Sequence, residues 1–255
     1  MKYKAVIADV DGTIMAPSEF PCPPPSERFI NAVKKITKLG VKFSLASGRS
    51  LTWVTEIINA LDLQTPIILD NGALIYDCSS KKYLWESYLP KETAQKILSF
   101  LKQDTSLRIF VNDADERLSN LSKISKWQIS KILILGLTPK KSEKLYRDLR
   151  KISNIHVTKS VSGLGETSQS VHVTNFDATK QVAVGKLLEI LGVKKEEVIG
   201  IGDSYNDFPL LMACGLKVAM GNAVPEIKAI ADYIAPSYTQ DGVVKVLEKF
   251  VLNHN

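Results

Sequence analysis

The sequence predicts an α/β fold in which a doubly wound parallel sheet is interrupted by an inserted α+β segment. Three observations carry this prediction: short apolar runs that end abruptly in polar residues, helical repeats lying between them, and a change of pattern across about residues 87–176. Residues 3–8 are mostly apolar and stop at Asp9, as a buried parallel strand does when it delivers a carboxylate at its C-terminal tip. After a Pro-rich loop at 17–25, Ser26 is placed to cap a helix bearing Phe29, Val33 and Ile36, with its stop at Gly40. A strand at 41–46, a helix at 51–61 and a strand at 66–69 ending in Asp70-Asn71-Gly72 complete a βαβαβ pattern. Ser79-Ser80 marks a hairpin.

The insertion contains two helix-then-strand units. Ala94, Ile97, Leu98 and Leu101 share one helical face before a strand at 108–111, and Leu145, Leu149 and Ile152 precede another at 156–158. Strands at 132–135 and 171–173 complete an antiparallel sheet covered on one side by two helices. From Lys180 the first pattern resumes. Val184, Leu187, Leu188 and Leu191 form a helical stripe that stops at Gly192, and a strand at 198–201 leads into Gly202-Asp203. Short βα units at 217–219 and 233–234 follow, then a last helix near 243–251. Residues 1–86 and 177–255 are therefore expected to form one discontinuous Rossmann-like core around an insertion at 87–176.

A chain of 255 residues with 45% hydrophobic content can bury one large core and one small one. No stretch reaches the ~20 apolar residues of a membrane span, and the start runs into a strand without a signal-peptide pattern, so a cytoplasmic protein is expected. Cys22, Cys78 and Cys214 are scattered and suggest neither a disulfide framework nor a zinc site. The net charge of +6 is unevenly distributed: residues 88–176 hold 15 Lys and Arg against 8 Asp and Glu, and the remainder 18 against 19. Such a basic segment can steer anions. Most of its lysines occupy solvated helix positions, and no nucleic-acid motif with interleaved aromatics accompanies them.

Four polar clusters follow predicted strands: Asp9-Val10-Asp11-Gly12-Thr13, Ser47-Gly48-Arg49, Asn71-Gly72, and Gly202-Asp203-Ser204-Tyr205-Asn206-Asp207. Each alone reads as a turn or a cap, yet in a parallel sheet all four fall on one edge. Carboxylates gathered there repel one another unless a divalent cation intervenes, and oxygen ligands point to Mg²⁺. Lys180 stands in the first turn of its helix, where the macrodipole disfavours a cation by about 0.3–1 kcal/mol at an exposed site, so an anionic neighbour is expected. Its removal is then expected to weaken phosphate binding with little loss of stability in the ligand-free protein, whereas a solvent-facing lysine would leave the kinetics unchanged.

These motifs, in this order and spacing, resemble the haloacid dehalogenase-like phosphatases, in particular the Cof-like branch with a large α/β cap. Gln181 departs from the glycine usual after the lysine, and the loop after Thr13 is longer than usual. The resemblance implies that Asp9 is the nucleophile and forms an aspartyl-phosphate, and that Asp11 is the leaving-group acid and then the base. It implies Mg²⁺ held by Asp9, the Asp11 carbonyl and Asp203, with Asp207 holding its waters. Ser47, the Gly48 N–H and Lys180 bind the phosphoryl oxygens, Asn206 helps orient the site, and the insertion is the cap. The expected substrate is a small phosphorylated metabolite, with no nucleic-acid or membrane partner. A phosphotransferase or phosphomutase shares every core residue; a receiver-type signalling module needs neither Asp11 nor the insertion. Residues that read the leaving group are expected in cap loops at 112–126 and 163–170.

Overall fold

Strand β1 (Ala5–Ala8) is buried at every position, and it lies inside a parallel sheet with a strand on either side, both of its faces meeting apolar side chains. In the computed structural model, which describes residues 2–17, 24–114, 116–161 and 168–253, Ser26 caps α1 (Glu27–Lys38) by accepting from the Phe29 N–H at 3.2 Å. That helix buries Phe29, Ala32, Val33 and Ile36 and closes at Leu39, just before Gly40. Most of the Pro-rich loop, with Cys22, lies outside the described residues. Strand β2 (Lys42–Leu45) and helix α2 (Leu51–Leu61) follow as expected.

Strand β3 (Pro66–Leu69) differs from the expected third member of the parallel sheet. It touches that sheet through a single bridge between Ala46 and Ile68 and pairs along its length with β4 (Leu74–Asp77), which pairs in turn with β5 (Lys82–Glu86). Pro66 has no N–H to give a ladder, and left-handed backbone at Asp70 and Asn71 turns the chain straight back. The predicted hairpin at Ser79-Ser80 is the β4–β5 turn, where Ser80 donates N–H and Oγ to Asp77.

The insertion runs through α3 (Lys91–Leu101), β6 (Arg108–Asp113), β7 (Glu116–Leu118), β8 (Ile129–Leu137), α4 (Pro139–Leu149), β9 (Ile155–Val161) and β10 (Gln169–Asn175). Its strands form an antiparallel sheet in the order β7-β6-β8-β10-β9. Because side chains alternate across a strand, Val111, Ile132, Ile134, Val171 and Val173 pack with Ala94, Ile97, Leu98, Leu145 and Leu149 of the two helices. Phe110, Lys131, Leu133, Ser170 and His172 point to the opposite face. The two chain crossings into and out of the insertion are joined: Ser87 Oγ donates to Asp177, and Asn175 Nδ2 donates to the Tyr88 carbonyl at 2.9 Å.

The chain then returns through α5 (Lys180–Leu191), capped by Thr179 and ended by left-handed Gly192. Strand β11 (Val198–Gly202), α6 (Phe208–Met212), β12 (Leu216–Ala219), α7 (Pro225–Ile230), β13 (Tyr233–Ile234) and α8 (Gly242–Leu247) follow. The parallel sheet reads β13-β12-β11-β1-β2, a doubly wound α/β core. No helix among the described residues is long and apolar enough to cross a membrane.

Candidate active site

The ends of β1, β2 and β11 in the parallel sheet and the end of β3 beside it converge where the sequence places its polar clusters. One carboxylate oxygen from each of Asp9, Asp203 and Asp207 lies within 4.8 Å of the others. Lys180 Nζ reaches both Asp9 Oδ1 and Asp207 Oδ1 at 2.6 Å. These are the anionic neighbours its place in the helix predicts, but the lysine is only 1% exposed, and burial this deep argues against the expectation that its loss leaves stability unaffected. Burial alone depresses its ammonium, but Asp207 and Asp9 outweigh burial and hold its pKa above the ordinary value. Asp207 Oδ2 accepts the backbone N–H groups of Asp203 and Ser204, each at 3.0 Å.

Burial, then the charge of Asp207, pushes the Asp9 carboxyl from 3.8 up to about 7, against the opposing pull of Lys180. Burial, with Asp207 and Asp9, likewise raises Asp203 well above its ordinary value. Such a trio of hard oxygen donors fits a divalent cation such as Mg²⁺, whose charge would offset theirs. The turn that carries the residues after Asp9 needs glycine at position 12. Its φ is +76°, and a Cβ there meets Asp203 Oδ2 at 2.2 Å.

The Asp11 carboxylate stands outside this trio. Both of its oxygens are held by the Arg49 fork, Nε to Oδ2 at 2.7 Å and Nη2 to Oδ1. Ser47 is fully buried at the β2 tip, and its Oγ accepts the Arg49 N–H at 3.1 Å. Gly48 packs against Asn71, whose Oδ1 accepts Asn206 Nδ2 at 3.2 Å. Asn71 Nδ2 donates to His172 Nδ1 at 3.0 Å, which ties this corner to the insertion. The His172 ring is held well below its ordinary value by burial, then by Lys131, Arg117 and Lys180.

Several residues of the site are assigned no role by the sequence. Asp70 is fully buried and receives Asn112 Nδ2 at 2.8 Å, Ser130 Oγ at 2.6 Å and Lys131 Nζ at 3.1 Å. Lys131 Nζ also donates to the Gly48 carbonyl. A lysine inside the otherwise apolar strand 129–137 is the available signal, since a charge there requires a buried partner. Core and insertion together enclose a cleft of about 740 Å³ that includes Asp9, Asp11, Gly48, Arg49, Asp203 and Asn206 on one side. Of the loops expected to read the leaving group, Asn112 and Arg117 line the cleft. Asp113 instead folds its own segment by accepting the N–H groups of Ser125, Lys126 and Gln128. In the second loop Ser170 lines the cleft, while residues 163–167 lie outside the described residues.

Known proteins resemble this chain along nearly its whole length. The chain is 28% identical to phosphoglycolate phosphatase 1 of Saccharolobus solfataricus, with 97% of this chain and 96% of that protein covered. It is 26% identical to 5-amino-6-(5-phospho-D-ribitylamino)uracil phosphatase of Bacillus subtilis, over 98% and 96%. Among solved structures, a haloacid dehalogenase-like hydrolase from Bacteroides thetaiotaomicron matches with a TM-score of 0.75 at 26% identity, covering 97% of this chain and 99% of that one. The family model described as haloacid dehalogenase-like hydrolase matches residues 6–126 and 108–247. On the strength of that match, the chain belongs to the haloacid dehalogenase-like hydrolases.

Proposed function

We propose that this protein is a Mg²⁺-dependent phosphatase that hydrolyses small-molecule phosphate monoesters through a phosphorylated Asp9. The observation that carries the reading is the buried trio Asp9, Asp203 and Asp207 closed by Lys180, on the edge of the sheet that opens into the cleft. The phosphatases named among the relatives support the same class of reaction. Asp9, Asp203 and Asp207, with the Asp11 carbonyl as the family resemblance implies, would hold the metal. When bound it offsets negative charge on the carboxylates and the phosphoryl oxygens.

Asp9 attacks phosphorus in line, one Asp9 Oδ–P bond forms, and the ester P–O bond breaks. Asp11 gives its proton to the departing oxygen and then takes one from the water that attacks the aspartyl-phosphate, which releases phosphate and regenerates Asp9. Both oxygens of Asp11 are engaged by Arg49 in this arrangement, so the acid role requires that pairing to open as substrate enters. Ser47, the Gly48 N–H and Lys180 surround the equatorial oxygens, and Asn206 holds Asn71 in place. The insertion at 87–176 acts as the cap that excludes water and contacts the leaving group.

The test is hydrolysis of nitrophenyl phosphate with Mg²⁺ and with excess chelator, by wild type and by Asp9→Asn. Activity that vanishes with the chelator and with the substitution is the expected result. Full turnover in chelator, or by Asp9→Asn free of contaminating enzyme, would sink the proposal.

A further inference from the structure

The two ends of the cleft carry opposite charge. At the core end Asp9, Asp203 and Asp207 exceed the single cation Lys180. At the cap end the excess is positive. Arg49 is answered by Asp11 and Lys131 by Asp70, whereas Arg108 and Arg117, which also line the cleft, form no ion pair among the described residues.

Arg117 is the more informative of the two. Its guanidinium lies between two rings, 4.7 Å from the Trp53 centroid on α2 of the core and 5.0 Å from Phe110 on β6 of the cap. Ring faces attract a cation but accept nothing from N–H groups in the guanidinium plane. Arg117 Nε is buried and has no hydrogen-bond partner. A buried donor left unpaired is costly, and a flat fork held rigid by two rings matches a carboxylate or phosphate in its own plane. Arg108 and Phe110 alternate onto this same face of β6, so a second cation stands on the same wall.

We propose that Arg117, aided by Arg108, binds a second anionic group on the substrate: a carboxylate or a further phosphate carried by the leaving group. This rests on the phosphatase reading above and narrows its substrate class. Neutral sugar or alcohol phosphates lack the group, and the Trp53 and Phe110 rings cover the short carbon skeleton between the two anions.

The experiment compares kcat/KM for 2-phospholactate and for its methyl ester, which differ in the free carboxylate, and adds propane-1,2-diol bisphosphate to distinguish phosphate from carboxylate. Wild type should prefer one or both doubly anionic substrates over the methyl ester by roughly 10- to 100-fold, the span expected for one charged hydrogen bond. Arg117→Gln should collapse that ratio whatever common loss it brings, and Arg117→Lys should keep part of it. A wild-type protein that turns over the methyl ester as well as the doubly anionic esters overturns the inference while leaving the phosphatase reading standing. So does an Arg117→Gln protein whose ratio is unchanged, since Arg117 then serves the reacting phosphate or the fold. Failure to hydrolyse nitrophenyl phosphate or any of these esters would overturn the phosphatase reading, and this inference with it.

Discussion

Lys180 is wedged between Asp9 and Asp207 with almost no access to water, so its removal does more than delete a phosphate contact. Taking one partner from a buried charge group leaves the others uncompensated, at a cost of about 3–5 kcal/mol. Lys180→Ala should therefore lower stability by that order in denaturant unfolding with chelator present, and added Mg²⁺ should recover part of it by restoring positive charge. Unchanged unfolding in chelator would mean that the three carboxylates are neutralised some other way. Asp11 is tested by its leaving group. General acid catalysis matters most when the departing oxygen bears charge poorly, so Asp11→Asn should reduce kcat/KM for an alkyl phosphate by about 10² more than for nitrophenyl phosphate. Because kcat/KM ends at the first irreversible step, it excludes the later water attack that Asp11 also assists. Equal losses for both substrates would assign Asp11 to holding Arg49 and not to proton transfer.

The β3–β4 corner joins the core to the cap through Asp70, which receives Lys131, Asn112 and Ser130. Asp70→Asn and Lys131→Met should each cost about 3–5 kcal/mol, because each strands a buried charge, while the double substitution should cost much less than their sum. A double-mutant cycle by denaturant unfolding measures this, and strict additivity would mean the two groups do not support each other. The same elements mark how far the sequence alone can be read. Helices α1 and α2 were legible because capping and the 3.6-residue repeat act within the segment, as Ser26 and the stripe Phe29, Val33, Ile36 illustrate. Asp9, Asp203 and Asp207 were legible as a group because strand tips of a parallel sheet share an edge, although nothing in that reasoning supplies their 4.8 Å spread. Strand β7 was missed, since its span Glu116–Leu118 is too short to establish a period. Arg117 fell within the 112–126 loop expected to read the leaving group, though nothing in so short a strand singled it out, and the Asp70–Lys131 pair was hidden because its partners are separated by some sixty residues of chain and meet only in the folded molecule.

For the molecule as a whole, the raised carboxyls set how stability depends on pH. Asp9 titrates at about 7 when folded and near 3.8 when unfolded, and Asp203 is displaced in the same direction. Between about pH 4 and pH 7 these carboxyls keep protons in the folded protein that the unfolded chain has released, so in chelator they lower stability as pH rises through that window. Below about pH 6.5 buried His172 pulls the other way, because the unfolded imidazole binds a proton that the folded one refuses; exposed ion pairs such as Lys141–Asp104 and Lys151–Asp148 contribute little. Above pH 6.5, where the unfolded imidazole no longer binds a proton, thermal melts in chelator should therefore decline towards about pH 7.5, Asp9→Asn should flatten the decline, and the stabilisation by Mg²⁺ should grow over the same interval. A melting temperature that climbs with pH in chelator over that interval would contradict this account. The alternation of side chains across the cap sheet has its own consequence. Ile132, Ile134, Val171 and Val173 hold the helices, while Lys131, Leu133, Ser170 and His172 look into the cleft. Odd and even positions on a single strand thus answer to different pressures, one to cohesion and the other to chemical taste. A lineage can exchange an inward residue such as Leu133 for new substrates by a single substitution, while Lys131 and His172, which tie this sheet to the core, stay with the scaffold.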